Sequence, residues 1–211
     1  YNTVPEKLKY KSLVVYNPIS LSNKPASNKE KKMISKFLKF KEKKILFLAN
    51  IIESKKIDIF IKSASIIFKK EKFVFLIIGN DKFDIFKKIF NNLKNNNFKK
   101  KIFYLDYCYN IKDWLKISDI LLAPAINEGL NRTIVESMLS NLPVIAANSG
   151  GHKEIIINNK NGWLFKPNNH EDLTKKTLNF FKLNKLEKYK IIKKAQETAL
   201  NKFNPEKIVK E

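Results

Sequence analysis

Short apolar runs alternate with amphipathic stretches along most of the chain. Residues 45–49, 73–79, 101–105, 119–123, 143–147 and 162–165 consist mostly of Ile, Leu, Val, Phe and Ala, and most begin or end at Gly, Asn, Asp or Pro. That is the pattern of strands buried on both faces of a sheet. Between them, apolar residues recur at helical spacing over 57–68, 82–93, 110–117 and about 132–140. Gly150-Gly151 opens a shorter helix through residue 157, and two helices, 171–181 and 186–202, follow the last strand. Strand and helix taking turns predicts an α/β fold, a Rossmann-like parallel sheet with helices on both faces. Upstream, residues 13–18 read as a short strand ended by Asn17-Pro18, and 20–32 is a polar stretch containing Pro25. The expected division is a connector over 1–40, a ligand-binding domain over 41–185 with its compact part starting near Lys44, and C-terminal helices over 186–211. There are no internal repeats.

Composition narrows the function classes. At 211 residues and 44% hydrophobic, the chain can build one sizeable core, and no apolar run approaches the length of a membrane span. The start, Tyr1-Asn2-Thr3-Val4-Pro5, has no signal-peptide core and no methionine, so a piece of a longer protein is expected. The net charge of +22 suggests nucleic acid, but the type of basic residue argues against it. Arg132 is the single arginine, and every other cation is lysine, scattered over most of the predicted helices. Base readers favour the bidentate arginine fork. Abundant Lys, Asn, Ile and Phe with sparse Gly and Ala is the signature of an AT-rich genome filling solvated faces. No nucleic-acid partner is therefore expected, while peripheral contact with an anionic membrane surface stays open. Cys108 is alone, which excludes a disulfide framework and a thiolate metal site and suggests a reducing compartment.

The most informative stretch is Glu128-Gly129-Leu130-Asn131-Arg132-Thr133-Ile134-Val135-Glu136. It lies between the predicted strands 119–123 and 143–147, so Glu128 falls in a loop at a strand's C-terminal end and Glu136 one to two turns into a helix. Open α/β sheets bind ligands along that edge. The N–H groups of a helix start, here Leu130 to Thr133, suit an anion such as a diphosphate. The two carboxylates flank that position and could each meet a hydroxyl pair. The bland alternative is a glycine turn followed by an exposed helical glutamate.

Several further landmarks occur in order. They are Ser137-Met138-Leu139-Ser140-Asn141-Leu142-Pro143-Val144-Ile145-Ala146, then Ser149-Gly150-Gly151-His152-Lys153-Glu154-Ile155-Ile156, then Asn161-Gly162-Trp163-Leu164-Phe165. Val15-Tyr16-Asn17-Pro18 and Phe203-Asn204-Pro205-Glu206 stand near the ends. Together with the paired glutamates, this ordered set resembles the C-terminal donor-binding domain of GT-B glycosyltransferases, family 4, over roughly residues 13–209. The resemblance implies that Glu136 holds the donor ribose and Glu128 contacts sugar hydroxyls. It also implies that the backbone of Gly129, Leu130, Asn131, Arg132 and Thr133 binds the diphosphate. The family places an arginine and a lysine after the first strand, facing the phosphates. The matching positions here are Asn50 and Lys55, with Lys56 as a neighbouring candidate. Asn50 departs from that pattern, since asparagine brings hydrogen bonds but no charge. Gly79, at the end of the second strand, is a further donor-binding candidate.

The implied reaction is retaining transfer of a hexosyl group from a nucleotide diphosphate sugar to an acceptor hydroxyl, in synthesis of an envelope polysaccharide or glycolipid in a bacterium. Charge growing on the leaving diphosphate would be stabilised by lysine and a helix N-terminus. No Asp-x-Asp pair is present, so no metal and no cofactor are expected. The acceptor would be bound by a missing N-terminal domain, and the location would be cytoplasmic, at the inner face of the cell membrane. Competing readings are a non-catalytic nucleotide-sugar-binding domain, motivated by Asn50, and a basic polyanion-binding protein, motivated by the charge. An epimerase on the same two-domain plan is a weaker one. Among the remaining residues, Tyr107 and Cys108 follow the third strand, where a nucleobase could pack, although ordinary loop packing is the simpler expectation. His152 and His170 are expected on the surface at helix starts, Trp114 and Trp163 in the core, and the lysines of 182–194 on solvated faces.

Overall fold

The computed structural model describes residues 24–203 together with Ile19 and Leu21. The expected strand 13–18 and the residues from Asn204 onward lie outside the described residues. Six strands, β1 (Lys43–Leu48), β2 (Phe73–Ile78), β3 (Ile102–Leu105), β4 (Ile120–Ala123), β5 (Val144–Ala147) and β6 (Trp163–Phe165), form one sheet. All pairings are parallel, in the order β3-β2-β1-β4-β5-β6. The chain builds outward from β1 to β3, then crosses back to place β4 on the other side of β1. Such a switch point leaves a crevice between the loops after β1 and β4, where ligands of open parallel sheets bind.

Alternation along the strands divides the core in two. Ile45, Phe47, Phe75 and Ile77 face one layer, made of α2 (Ile57–Lys70), α3 (Ile85–Asn91), α4 (Asn96–Lys99) and α8 (His170–Lys182). Leu46, Val74, Leu76 and Ile78 face the other, made of α1 (Asn28–Leu38), α5 (Ile111–Ile117), α6 (Arg132–Leu139), α7 (His152–Ile155) and α9 (Lys185–Phe203). Every residue of β2 is buried, as a strand covered on both faces requires. The asparagines that swell the composition do structural work at helix starts. Asn95, Asn110, Asn131 and Asn169 cap α4, α5, α6 and α8 by accepting from a backbone N–H with the side chain. Such caps stabilise a helix by about 1 kcal/mol each.

Two helices, α1 and α4, stand outside the expected elements; α1 carries a stripe of Met33, Ile34 and Phe37 at helical spacing, but over only two turns. The polar sequence before β1 contains α1, opened by a capping box between Ser27 and Glu30. Its Phe37 is fully buried against Phe103 and Trp114. Glu30, only 1% exposed, accepts from the N–H groups of Ser27, Tyr109 and Asn110 and from Trp114 Nε1. A glutamate in a polar run thus serves as the buried anchor of the loop after β3. The short α4 is missed because Asn96-Asn97-Phe98-Lys99 holds one apolar residue and no period. Among the described residues, no helix is long and apolar enough to cross a membrane.

Candidate functional site

The loops after β1, β4 and β5 meet at the carboxyl edge of the sheet. After β1 the chain passes through Ala49, exposed Asn50 and buried Ile51 into a 3-10 turn, Glu53–Lys55. Lys56 then takes a left-handed conformation, φ 54°, and α2 begins. The turn is tied to the neighbouring loop by Ile126 N donating to Ser54 O at 2.9 Å. That tie brings Lys55 to Glu128, with Nζ 2.7 Å from Oε1 and both side chains about four-fifths buried, at 20% and 17% exposed. Residues 73 apart in sequence therefore form a short ion pair beside the switch point.

The Glu128 loop rests on the turn after β5. Asn127, also left-handed at φ 54°, donates its N–H to Ser149 Oγ, and Gly151 N donates to Glu128 O at 2.8 Å. Here two glycines are required by contact. A Cβ at Gly150, whose φ is +52°, would lie 2.2 Å from Glu128 O, and one at Gly151 would lie 2.1 Å from Gly129 O. Gly129 itself has open space where its Cβ would be. Its neighbours Glu128, Leu130, Gly150, Gly151, Lys153 and Glu154 line the same cleft, about 470 Å³ in volume. At Gly79, φ +153°, a Cβ would lie 1.8 Å from Ala49 O. The absent side chain there lets the β1 and β2 loops touch each other.

The second glutamate sits one turn into α6. Glu136 is 7% exposed, and its nearest cation is Arg132, whose Nη2 is 3.7 Å from Oε1 while the arginine is itself mostly exposed. Burial pushes the Glu136 carboxyl above the usual range, and Arg132 opposes that only in part. A carboxylate so placed gains from hydroxyl donors that a ligand would bring. Among the described residues, the backbone N–H groups of Leu130, Asn131, Arg132 and Thr133 have no acceptor within the chain. They stand at the positive end of the α6 dipole, a ready anion site. Cys108 lies half-buried on the same side, and burial, with Glu30 and Glu136 adding to it, pushes its thiol up to about 12. Tyr107 and Tyr109 are exposed and meet edge to face, centroids 4.9 Å apart.

His152 departs from expectation. It is fully buried, with Nδ1 2.9 Å from Ala147 O and Nε2 3.1 Å from Asn131 Nδ2. Four residues are too few for α7 to show a helical period, and nothing in them marks which side of the turn faces the core. The close seating of Gly150-Gly151 on the Glu128 loop is what draws its ring inward. Trp114 and Trp163 are buried as expected. Among the described residues, no group of three His, Cys, Asp or Glu side chains is placed to hold a metal ion.

The sequence over residues 28–198, which holds the two-glutamate loop and the glycine turn, matches the family model of the glycosyl transferases group 1. The chain belongs to that family. An uncharacterized glycosyltransferase of Methanocaldococcus jannaschii is 30% identical over 209 residues, covering 99% of this chain and 54% of the relative. The C-terminal domain of a glycosyl transferase group 1 protein from Francisella tularensis superposes with a TM-score of 0.70 at 22% identity, over 90% of this chain and 97% of that domain. HepE of Anabaena, solved in complex with UDP-glucose, superposes with a TM-score of 0.79 at 20% identity, over 94% of this chain and 55% of HepE. The chain thus spans about half the length of the M. jannaschii relative and of HepE, and corresponds to the C-terminal half of the GT-B fold.

Proposed function

We propose that this group 1 domain binds a nucleotide diphosphate sugar and serves as the donor half of a retaining hexosyltransferase. The observation that carries the reading is the convergence at the switch point of one lysine, one buried glutamate and four unengaged backbone N–H groups. Lys55 and the amides of Leu130 to Thr133 would hold the diphosphate, with the Gly129 backbone open to close approach. Glu136 would accept from the ribose hydroxyls, and Glu128 from the sugar. As the glycosidic bond breaks, negative charge grows on the diphosphate. Lys55 and the α6 N-terminus would stand where that charge develops, and preorganised donors of this kind are worth several kcal/mol, on the order of 3, to a transition state. The acceptor would be bound by a separate N-terminal domain, and the product would be a polysaccharide or glycolipid. HepE, solved with UDP-glucose, supports the donor class. An excess of lysine on the surface is compatible with contact to an anionic membrane face.

Asn50 favours a second reading, donor binding without transfer, because it is exposed at the position where a second cation would face the phosphates. Calorimetric titration of the 211-residue chain with UDP-glucose, GDP-mannose and ADP-glucose, alongside Glu136→Ala, tests donor binding. Saturable binding of one donor that is lost in the variant supports it. Binding to any polyanion with a steep salt dependence, insensitive to Glu136→Ala, would instead mean that the lysines and not the crevice make the site. In a full-length enzyme, Asn50→Arg separates the two donor readings: a large gain in rate assigns the missing charge as the limiting defect.

A further inference from the structure

His152 has a ring nitrogen on each of two elements, and the chemistry of one end fixes the other. Ala147 O is a carbonyl and can only accept, so the Nδ1 it faces at 2.9 Å carries the proton. In a neutral ring Nε2 is then a bare acceptor, and it accepts from Asn131 Nδ2 at 3.1 Å. That in turn orients the Asn131 amide. With its NH2 committed to the histidine, its Oδ1 points to the first turn of α6 and caps Ile134 N. The relay thus runs from the end of β5, through a buried imidazole, to the residue that opens α6. Burial lowers the basicity of His152, with the Ala147 contact opposing, which keeps the ring neutral near pH 7. Glu128 and Lys55 lie near enough to act on it in opposite senses. An apolar side chain would fill the same space without ordering Asn131.

We infer that His152 is a positioning residue for the anion-binding turn: its neutral Nδ1–H tautomer locks the Asn131 amide as the α6 cap and so holds the Leu130–Thr133 N–H groups aimed at the donor diphosphate. This rests on the donor-site reading above. A freely rotating Asn131 amide would cap α6 only part of the time, and the turn would have to be ordered at the moment of binding. The effect should therefore appear in affinity for the diphosphate and not in contacts to the nucleoside.

Two measurements test it. Ring 15N NMR of the unliganded chain at pH 7 should show His152 neutral and protonated on Nδ1; an Nε2–H or doubly protonated ring overturns the inference regardless of ligand. In the second, UDP, GDP and ADP are titrated, and the tightest is compared with its own nucleoside in a double-mutant cycle. His152→Leu should weaken the diphosphate by about tenfold and leave the nucleoside unchanged. On an Asn131→Ala background the same substitution should change nothing beyond about threefold. Equal losses on both backgrounds, or for nucleoside and diphosphate alike, would show a structural role only and overturn the inference. His152→Gln, which keeps a donor and an acceptor on one side chain, covers the case in which the leucine variant does not fold. It should retain diphosphate affinity within about threefold, and a larger loss with the fold intact counts against the relay. Failure of all three nucleotides to bind, or binding indifferent to Glu136→Ala, removes the donor-site reading itself and this inference with it.

Discussion

Gly151→Ala is the substitution that most directly probes how the Glu128 loop is held. Gly151 has ordinary backbone angles, φ −66° and ψ −10°, so alanine brings no conformational strain of its own. The cost is contact. The new Cβ would lie 2.1 Å from Gly129 O and 2.8 Å from Gly129 C, both backbone atoms that cannot swing aside. Restoring van der Waals separation requires a shift of about 1 Å between the α7 turn and the Glu128–Leu130 loop, since carbon and oxygen rest a little over 3 Å apart. The shift also breaks the hydrogen bond from Gly151 N to Glu128 O. Overpacking of about 1–3 kcal/mol and a lost hydrogen bond of about 1 kcal/mol sum to roughly 2–4 kcal/mol. For a chain of this size that lowers Tm by about 5–15 °C. Gly129→Ala is the control, because nothing stands within 4 Å of its Cβ. It should melt within about 2 °C of the parent, as surface changes do, yet lose nucleotide affinity, because its methyl enters the cleft. Calorimetry by scanning and by titration reads both quantities on the same samples. If Gly151→Ala melts with the parent, the Glu128 loop is not seated on the α7 turn. If Gly129→Ala binds as the parent does, the ligand does not approach that backbone.

Other outcomes follow from the charges. Glu128 competes with a diphosphate for Lys55 and repels it, so Glu128→Gln should tighten UDP about threefold to tenfold, a little more than an exposed ion pair is worth, while weakening sugar-dependent transfer; titration that shows weaker UDP binding refutes the competition. Glu136→Ala should weaken the bound nucleotide by about 10- to 100-fold, the loss of hydrogen bonds to a charged acceptor, and leave the fold intact. Because burial raises the Glu136 carboxyl in the folded state, its contribution to stability is fully present below the ordinary glutamate value and is lost as pH rises through the folded one. Glu136→Gln should therefore flatten that decline, and identical stability–pH curves above the ordinary glutamate value would contradict it. Glu30 has the opposite sign. Burial alone would raise its carboxyl, but hydrogen bonds from Ser27, Trp114 and Asn110 outweigh it and hold it low. Its contribution is present above the ordinary glutamate value and lost as pH falls through the folded one, so Glu30→Gln should flatten the acid limb of a stability profile. Glu30→Ala leaves the buried Trp114 Nε1 without its acceptor and removes the acceptor of the half-buried Ser27, Tyr109 and Asn110 N–H groups, a loss of about 2–4 kcal/mol that urea unfolding would read.

What the sequence disclosed and what it hid divide along physical lines. Strands buried on both faces write themselves as apolar runs, so all six were legible. The strand order, with the reversal that puts β4 beside β1, was not legible in those runs and comes from the structure. The paired glutamates stood out through their place between a strand and a helix start, but spacing alone left a plain glycine turn open, and their roles rest on the resemblance carried by the whole ordered set of landmarks. Contacts made by single polar atoms across long loops leave no such trace. Lys55 meets Glu128 only because Ile126 is hydrogen-bonded to Ser54, a bond between two backbones that no side chain announces. α1 is a different case: Met33, Ile34 and Phe37 recur at helical spacing and pack on the core, but over two turns at the end of a polar stretch, too short a stripe to stand out beside its buried Glu30. His152 is the sharpest case. A histidine at a helix start is expected on the surface, yet its ring is held inward by Ala147 O and the Asn131 amide, beside a glycine turn seated on the Glu128 loop. At the Glu128 turn, Gly129 leaves its backbone open to the cleft. At the β5 turn the glycines are instead contact, and through that contact a residue far from the motif comes to hold the motif in place.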